Sequence, residues 1–328
     1  MPRILSGIKP TGKLHIGNYF GMMRPAIEWQ NKGEALYFIA DYHALTTLHD
    51  PKLMKEYSRG VALDFLACGL DPERATLFKQ SDVPQVCELT WILSTLTPLP
   101  MLENAHAFKA HVERIAQLGG AGEAASLGLF AYPVLMAIDI LIYDSDIVPV
   151  GRDQKQHVEI TRDLAVKFNR TFGETFKLPQ PSILPDVETI PGLDGQKMSK
   201  SYNNTVELFL DEKTLRKKIM GIVTDSTPVE APKDPTNSAI VNLFRLFAAP
   251  NDVEKMEADF RAGGIGYGDF KKRLFEAIWN FFEPMRKRRA EIERDPRYID
   301  EVLARGAARA NELANATTER VRKIVGLI

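Results

Sequence analysis

The sequence predicts an α/β fold, in which a doubly wound parallel sheet of the Rossmann-like type is followed by an α-helical domain. In the first half, short apolar runs alternate with longer segments of helical periodicity, the pattern of βαβ units. Beyond Thr205 the strand signals disappear and the pattern is mostly helical. We therefore predict a Rossmann-like domain over residues 1–195 and a second, all-helical domain beyond residue 205.

Local signals support the individual elements. Asp50 is a suitable N-cap for a helix with Pro51 at its first position, and Gly69 stands where that helix should end. Prolines and glycines crowd residues 177–195, so we expect an irregular, exposed segment there, and the Gly- and Ala-rich segment 117–126 predicts a mobile loop. The predicted strands are 3–8, 35–40, 75–79 and 147–150, and the predicted helices include 17–30, 51–70 and 151–172.

Composition excludes several classes of protein. The 328 residues carry 42 Lys and Arg against 43 Asp and Glu, so any contact with RNA must be local. Cys68 and Cys87 form no four-ligand zinc set and no disulfide framework, which fits a reducing cytoplasm, and the start shows no targeting pattern. The most apolar stretch, 132–143, is too short to span a membrane. We expect a cytoplasmic protein with no bound structural metal and no membrane partner.

A local basic excess lies in the second half. Residues 271–294 contain eight Lys and Arg against four Glu. This excess suits contacts with phosphates, although a solvated helix face explains it equally well.

Two short segments carry the strongest chemical signals. Residues 10–18, PTGKLHIGN, form a Gly-punctuated loop between the first strand and the first helix, where free N–H groups favour a phosphate. There His15 can donate to a transferring phosphoryl group, and Gly17 leaves room for an adenine ring. Residues 197–201, KMSKS, place two lysines beside two hydroxyls, and cations on a closing loop suit nucleotidyl transfer. Together they predict a nucleotide-binding first domain.

Asp139 lies in an otherwise apolar helical stretch. A buried carboxylate is costly unless groups donate to it. From the residues alone, the donor could be a nearby Arg, capping backbone amides, or an N–H of a substrate.

The pair HIGN and KMSKS resembles the paired signature of class I aminoacyl-tRNA synthetases. Asn18 departs from the commoner His at that position, as is familiar in the tryptophanyl and tyrosyl branch. Three further segments resemble the tryptophanyl members, and the likeness covers nearly the whole chain. These segments are DYHALT (41–46), YPVLMAIDIL (132–141) and IVPVGRDQKQH (147–157).

The resemblance implies a set of site residues. We expect His15, Thr11, Lys197 and Lys200 to stabilise the transition state. ATP binding would involve Lys9, Pro10, Thr11, Gly17, Asn18, Gly151, Arg152, Asp153, Ile190, Lys197, Met198, Ser199, Lys200 and Ser201. Tryptophan binding would involve Asp139 as acceptor of the indole N–H, with Met136, Tyr132, Gln154, His43, Val148, Val150 and Leu5. Leu5 stands where Phe is common and Lys9 where Gln is common, which leaves open how the substrate carboxylate is held.

The implied function is a tryptophan–tRNA ligase. Tryptophan would react with ATP, whose phosphates carry Mg²⁺, and the aminoacyl group would then pass to tRNA(Trp). A tyrosyl-tRNA synthetase is the nearest alternative, and a tRNA-independent nucleotidyltransferase or a non-catalytic RNA-binding paralogue are more remote ones. The resemblance also implies that residues 205–300 form a helical anticodon-binding domain, that a C-terminal helix over 301–328 could pack back on the catalytic domain, and that the protein is a homodimer with an interface at about 98–114.

Overall fold

The computed structural model describes residues 1–117, 124–151, 154–183 and 190–328. Five parallel strands form one sheet in the order β3-β2-β1-β4-β5, so the sheet is doubly wound as predicted. The centre of the predicted loop at 117–126, residues 118–123, lies outside the described part. The strands are β1 (Arg3–Ile8), β2 (Glu34–Ile39), β3 (Ala75–Lys79), β4 (Ile147–Val150) and β5 (Gln180–Ile183).

β5 corrects one prediction. We expected residues 177–195 to be irregular, yet Gln180–Ile183 pairs in register with β4, where Pro181 lies opposite Val148. A proline removes one ladder hydrogen bond, which an edge strand tolerates because one side of its backbone has no neighbour. The proline-rich composition therefore concealed a short edge strand.

Helices account for most of the other regular structure in the described ranges. The predicted cap of the second long helix is confirmed, because the Asp50 carboxylate accepts from the N–H groups of Lys52 and Leu53 at 2.8 and 3.1 Å. A π-helical turn, Tyr19–Met23, joins the first two helices. The helices are α1 (Ile16–Asn18), α2 (Arg24–Trp29), α3 (Asp41–Ala44), α4 (Pro51–Ala67), α5 (Gln85–Ser94), α6 (Leu99–Glu103), α7 (His106–Gln117), α8 (Leu127–Leu141), α9 (Lys155–Phe172), α10 (Glu212–Met220), α11 (Ala239–Phe244), α12 (Pro250–Ala262), α13 (Tyr267–Phe281), α14 (Glu283–Arg294) and α15 (Pro296–Ile324).

The chain divides into two compact units. The first contains Met1–Gly12, Pro25–Pro185 and Asp295–Ile328, and thus the whole sheet together with α15. The second contains Lys13–Arg24 and Asp186–Arg294 and is mostly helical. None of the helices in the described ranges has the length and apolar character to cross a membrane.

In the first unit, α15 packs closely on the sheet. A Cβ atom at Gly306 would fall 1.9 Å from the carbonyl oxygen of Leu77 in β3, so only glycine permits this approach. The guanidinium of Arg322 also donates to both carboxylate oxygens of Glu88 in α5, at 2.5 and 2.6 Å. These contacts attach the last helix to the strand-bearing unit.

Candidate active site

The sheet topology indicates where a ligand should bind in the first unit. From β1 the chain builds outward through β2 and β3 on one side, and through β4 and β5 on the other. In open α/β sheets, ligands bind beyond the carboxyl ends of the strands at such a switch point. Lys9 and Pro10 directly follow β1 and Gly151 directly follows β4, so the structure brings these predicted residues to that edge.

A buried carboxylate lies at the centre of this unit's polar cluster. Asp139, in α8, is 1% exposed. Its Oδ1 and Oδ2 atoms accept from Nε2 of Gln80 at 2.8 and 2.9 Å, and Oδ2 lies 2.8 Å from Nε2 of His43. The donors are therefore an amide and an imidazole rather than the arginine or backbone amides considered from the sequence. A carboxylate has about four acceptor positions, so Asp139 retains capacity for a further donor.

Gln80 is a site residue that the sequence reasoning missed. It is 1% exposed and follows β3 directly. Its Oε1 accepts from the backbone N–H of His43 at 3.3 Å while its Nε2 holds Asp139, so one carboxamide positions both residues. The sequence signal that could have identified Gln80 is its place as a polar residue at the carboxyl end of a buried parallel strand, since ligands bind at that edge of the sheet.

Tyr132, Met136 and Asp139 share one face of α8, because they are spaced by four and three residues. The hydroxyl of Tyr132 lies 2.9 Å from Nε2 of His157, and its ring centroid is 6.0 Å from that of His43. Burial raises the pKa of Tyr132 to about 12, so its hydroxyl is protonated at neutral pH and available as a donor.

Apolar side chains line the same region of the first unit. Leu5, Val148 and Val150 are buried in one apolar cluster, and the half-buried Met136 packs against it. The backbone N–H of Gln154 donates to the carbonyl of Gly151 at 3.0 Å. The predicted site residues Arg152 and Asp153 lie outside the described residues.

Lys9 is connected to the Asp139 cluster through Thr46. Its Nζ donates to Oγ1 of Thr46 at 2.9 Å, and that hydroxyl donates to the carbonyl of His43 at 2.8 Å. Burial lowers the pKa of the Lys9 ammonium from its ordinary value. The Lys9 cation is therefore attached to the segment that carries His43.

In the second unit, the signature histidine caps a helix. Nδ1 of His15 accepts from the N–H of Asn18 at 3.3 Å, and Oδ1 of Asn18 accepts from the N–H of His15 at 3.1 Å. Burial, reinforced by the positive charge of Lys200 and opposed by Glu207, lowers the pKa of His15 to about 4. At neutral pH the imidazole is therefore uncharged. Because Nδ1 is an acceptor, the proton is on Nε2, which can donate to a ligand.

Backbone pairing brings the two signature motifs together. The N–H of Ile16 donates to the carbonyl of Val206 at 2.9 Å, and the N–H of Leu208 donates to that of Leu14 at 3.0 Å. A Cβ at Gly17 would lie 3.6 Å from the Cβ of Met198. The second unit thus assembles the predicted residues of its own segments, namely His15, Gly17, Asn18, Ile190, Met198 and Lys200.

The second motif lies in a loop with its own support. Burial lowers the pKa of Lys200, while Glu207 opposes that shift. The N–H of Met198 donates to the carbonyl of Ile190 at 2.8 Å, and the N–H of Ser199 donates to Oδ1 of Asn204 at 2.8 Å. The side chain of the predicted residue Ser201 lies outside the described part.

The basic segment 271–294 is largely engaged within the protein. Lys271 is buried and donates to the carbonyl of Met220 at 3.1 Å, while the guanidinium of Arg286 stacks 3.6 Å from the ring centroid of Trp279. Ion pairs join Lys287 to Glu283 and Arg289 to Glu293. Much of the positive charge in this segment therefore has a structural role, whereas Arg288 is exposed.

The chain is similar over nearly its whole length to proteins of one family. A family model described as tRNA synthetases class I (W and Y) matches residues 1–283. The chain is 54% identical to a tryptophan–tRNA ligase of Rhodopirellula baltica, over 99% of both chains, and 48% identical to that of Fusobacterium nucleatum, over 100% of this chain and 99% of that one. A crystal structure of Campylobacter jejuni tryptophanyl-tRNA synthetase, complexed with ADP and tryptophan, matches with a TM-score of 0.92 and 44% identity over 99% of both chains.

The fold and the family model define the class. The chain belongs to the class I tRNA synthetases, and within them to the tryptophan–tRNA ligases. The resemblance expected from HIGN and KMSKS is thereby confirmed.

Proposed function

We propose that the chain activates L-tryptophan with ATP and transfers it to the 3′ end of tRNA(Trp). The observation that carries the choice of amino acid is the buried carboxylate of Asp139, which is held by His43 and Gln80 and retains acceptor capacity beside an apolar cluster. An indole offers one N–H donor on a large apolar ring. A site that hydrogen-bonds a substrate N–H strongly rejects analogues that lack it.

The first unit supplies the tryptophan-binding groups. Asp139 accepts the indole N–H, while Leu5, Met136, Val148 and Val150 contact the ring and His43 lies alongside it. Tyr132 and Gln154 hold the ammonium group of the substrate. Lys9 attracts its carboxylate or the phosphates, and this is supported by its ammonium being attached to the His43 segment through Thr46.

The nucleotide-binding groups come from both signature motifs. From the first, Pro10 and Thr11 contact ATP with Gly17 and Asn18. Outside the two motifs, Gly151 and Asp153 bind the ribose and Arg152 contacts ATP. Ile190 and Met198 flank the adenine, and the hydrogen bond between their backbones supports this pairing. Ser199 and Ser201 donate to phosphate oxygens beside Lys197 and Lys200.

Adenylate formation needs no protein nucleophile. A tryptophan carboxylate oxygen bonds to the α-phosphorus of ATP, and the bond from that phosphorus to the bridging oxygen breaks, so pyrophosphate leaves with the electron pair. His15 donates from Nε2, and Thr11, Lys197 and Lys200 stabilise charge on the phosphate oxygens. The ATP substrate brings Mg²⁺ on those oxygens, which are the hard ligands that Mg²⁺ prefers.

A homodimer and a cytoplasmic location complete the proposal. Within the segment 98–114, Leu99 and Val112 expose 63% and 49% of their surfaces, and α7 buries none of its residues in the single chain. These exposed apolar groups support an interface between two copies. Neither Cys68 nor Cys87 forms a disulfide, in keeping with a reducing compartment.

Tryptophan-dependent exchange of pyrophosphate into ATP tests the first step, and charging of tRNA(Trp) tests the second. Exchange that does not depend on tryptophan would refute the proposal. Light scattering of the purified protein tests the dimer, which a monomeric mass at micromolar concentration would contradict.

A further inference from the structure

The carboxamide of Asn204 makes three hydrogen bonds within the segment that carries the two signature lysines. We call residues 192–204 the lysine loop. Asn204 is 3% exposed. Its Oδ1 accepts from the N–H of Ser199 at 2.8 Å, and its Nδ2 donates to Oδ1 of Asp194 at 2.7 Å and to the carbonyl of Lys197 at 3.1 Å. One side chain therefore ties three positions of the loop together.

The rest of the lysine loop is built around that carboxamide. The backbone carbonyl of Asn204 accepts from the N–H of Leu193 at 3.0 Å, and Oδ1 of Asp194 also accepts from the N–H of Gln196 at 3.0 Å. A Cβ atom at Gly192 would lie 2.3 Å from Cγ and Nδ2 of Asn204, closer than real Cβ contacts allow. The carboxamide thus occupies the space that a side chain at residue 192 would need.

The contacts fall on either side of the lysines. Asn204 donates to the backbone carbonyl of Lys197 and accepts from the backbone N–H of Ser199, the residue directly before Lys200. A loop that must present two cations to phosphate gains rate when it is already ordered before substrate binds, because catalysis depends on positioning. Asn204 itself is buried under the loop backbone and is not needed to touch the nucleotide.

We propose that Asn204 is the positioning residue of the lysine loop, and that it holds Lys197 and Lys200 in the arrangement from which they stabilise the transferring phosphate. This inference rests on the proposed role of the two lysines. It assigns a function to a residue outside the two signature motifs, and that function acts through the loop backbone.

The test is the variant N204D, which keeps the shape and the acceptor for Ser199 but removes both donors and places a second carboxylate against Asp194. We expect kcat for pyrophosphate exchange to fall by about 10- to 100-fold, the cost of losing hydrogen bonds with a charged partner. The dissociation constant for tryptophan, whose proposed ligands are in the first unit, should not change.

The reciprocal double variant D194N/N204D should restore part of the activity. The new amide at residue 194 can donate to the new carboxylate at 204, which still accepts from Ser199, whereas the donor to the Lys197 carbonyl stays absent, so kcat should rise above that of N204D without reaching that of the parent. A general loss of folding would weaken tryptophan binding together with kcat, so a fall and recovery of kcat at constant tryptophan affinity identify a positioning role. The matched control is N237D, because Asn237 donates to Asp234 at 3.0 Å in an exposed loop of the same unit, and it should keep normal kcat.

A second variant covers the case in which N204D does not fold. G192A adds one methyl group that must displace the Asn204 carboxamide, and it should lower kcat in the same way without changing any polar group. Normal kcat in N204D, or in G192A if N204D does not fold, overturns the positioning role, as does a double variant no more active than N204D. Normal exchange in K200A would instead refute the proposed role of the lysines themselves.

Discussion

The Nε2 atom of His43 lies 2.8 Å from Oδ2 of Asp139, and both residues are less than 10% exposed. Because Oδ2 also accepts from Gln80, it has two donors, whereas Oδ1 has only the Gln80 amide. Oδ1 is therefore the atom of Asp139 with more acceptor capacity left for a substrate N–H. We therefore expect the indole N–H to donate to Oδ1.

The variant D139N should lose tryptophan activation. Asparagine places a donor NH2 where one carboxylate oxygen was, and that group opposes either the donors of His43 and Gln80 or the indole N–H, so we expect kcat/KM for tryptophan in pyrophosphate exchange to fall by about 10- to 100-fold. The KM for ATP should change little. D41N is the matched control, since Asp41 is a similarly buried acid that accepts from the backbone N–H groups of Tyr42 and Ser81 at 3.0 and 2.9 Å. Equal losses in the two variants would contradict the assignment.

The lowered pKa of His15 predicts a pH dependence of stability. Its pKa is about 4 in the folded chain, against an ordinary value of 6.5, so the unfolded chain binds more protons between these values. His15 therefore contributes stability that is complete above pH 6.5 and is lost as the pH falls toward 4. Asparagine at this N-cap position preserves the cap but does not titrate, so the thermal midpoint of H15N should fall less than that of the parent between pH 7 and 4.5. If the thermal midpoints of H15N and the parent fall in parallel with pH, burial does not lower the pKa of His15.

The variant K200A should slow chemistry more than it weakens binding. If the cation acts on charge that develops during phosphate transfer, single-turnover adenylate formation should fall by about 100-fold, while the tryptophan dissociation constant stays within about twofold. K213A, which removes an exposed cation from α10 in the same unit, is the control and should behave as the parent. A K200A protein whose only defect is weaker tryptophan binding would refute the catalytic role.

Contact with tRNA can be tested at the part of the basic segment that is exposed. Arg286 stacks on Trp279, so its removal would disturb packing, whereas Lys287 and Arg288 are exposed on α14. We expect K287A/R288A to keep normal pyrophosphate exchange, to charge tRNA less well at moderate salt, and to show a smaller salt slope. The control K52A/K55A removes two exposed cations from α4 and should charge normally. If both variants charge tRNA as the parent does, α14 is only a solvated surface.

Local patterns were sufficient to predict most of the sheet. Strands β1, β3 and β4 begin and end where the apolar runs predicted, and Asp50 and Pro51 predicted the start of α4. β5 was missed because its proline argues against a strand, and only the neighbouring β4 makes an edge strand possible there. An edge position is a property of the assembled sheet and leaves no local signal.

The types of residue in the site were predictable from the sequence, but the hydrogen-bond partners of those residues were not. Asp139 was recognisable because a carboxylate in an apolar helix needs a donor, yet its donors, His43 and Gln80, are 96 and 59 residues away in the sequence. Asn204 likewise gave no signal, since a polar residue in a Gly- and Pro-rich region is ordinary. Its importance follows from burial and three simultaneous hydrogen bonds, which only the folded loop creates.

The central claim is that the Asp139 cluster selects tryptophan for activation. Its most direct test is pyrophosphate exchange by the purified protein, measured in parallel with each of the twenty amino acids, with tyrosine as the critical comparison. We predict rapid exchange with tryptophan and, with tyrosine, exchange slower by at least about 1,000-fold, because the phenol O–H, at the end of a smaller ring, cannot donate to Asp139 while the ring fills the apolar cluster as an indole does. Comparable exchange with tyrosine, or none with tryptophan, would contradict the account.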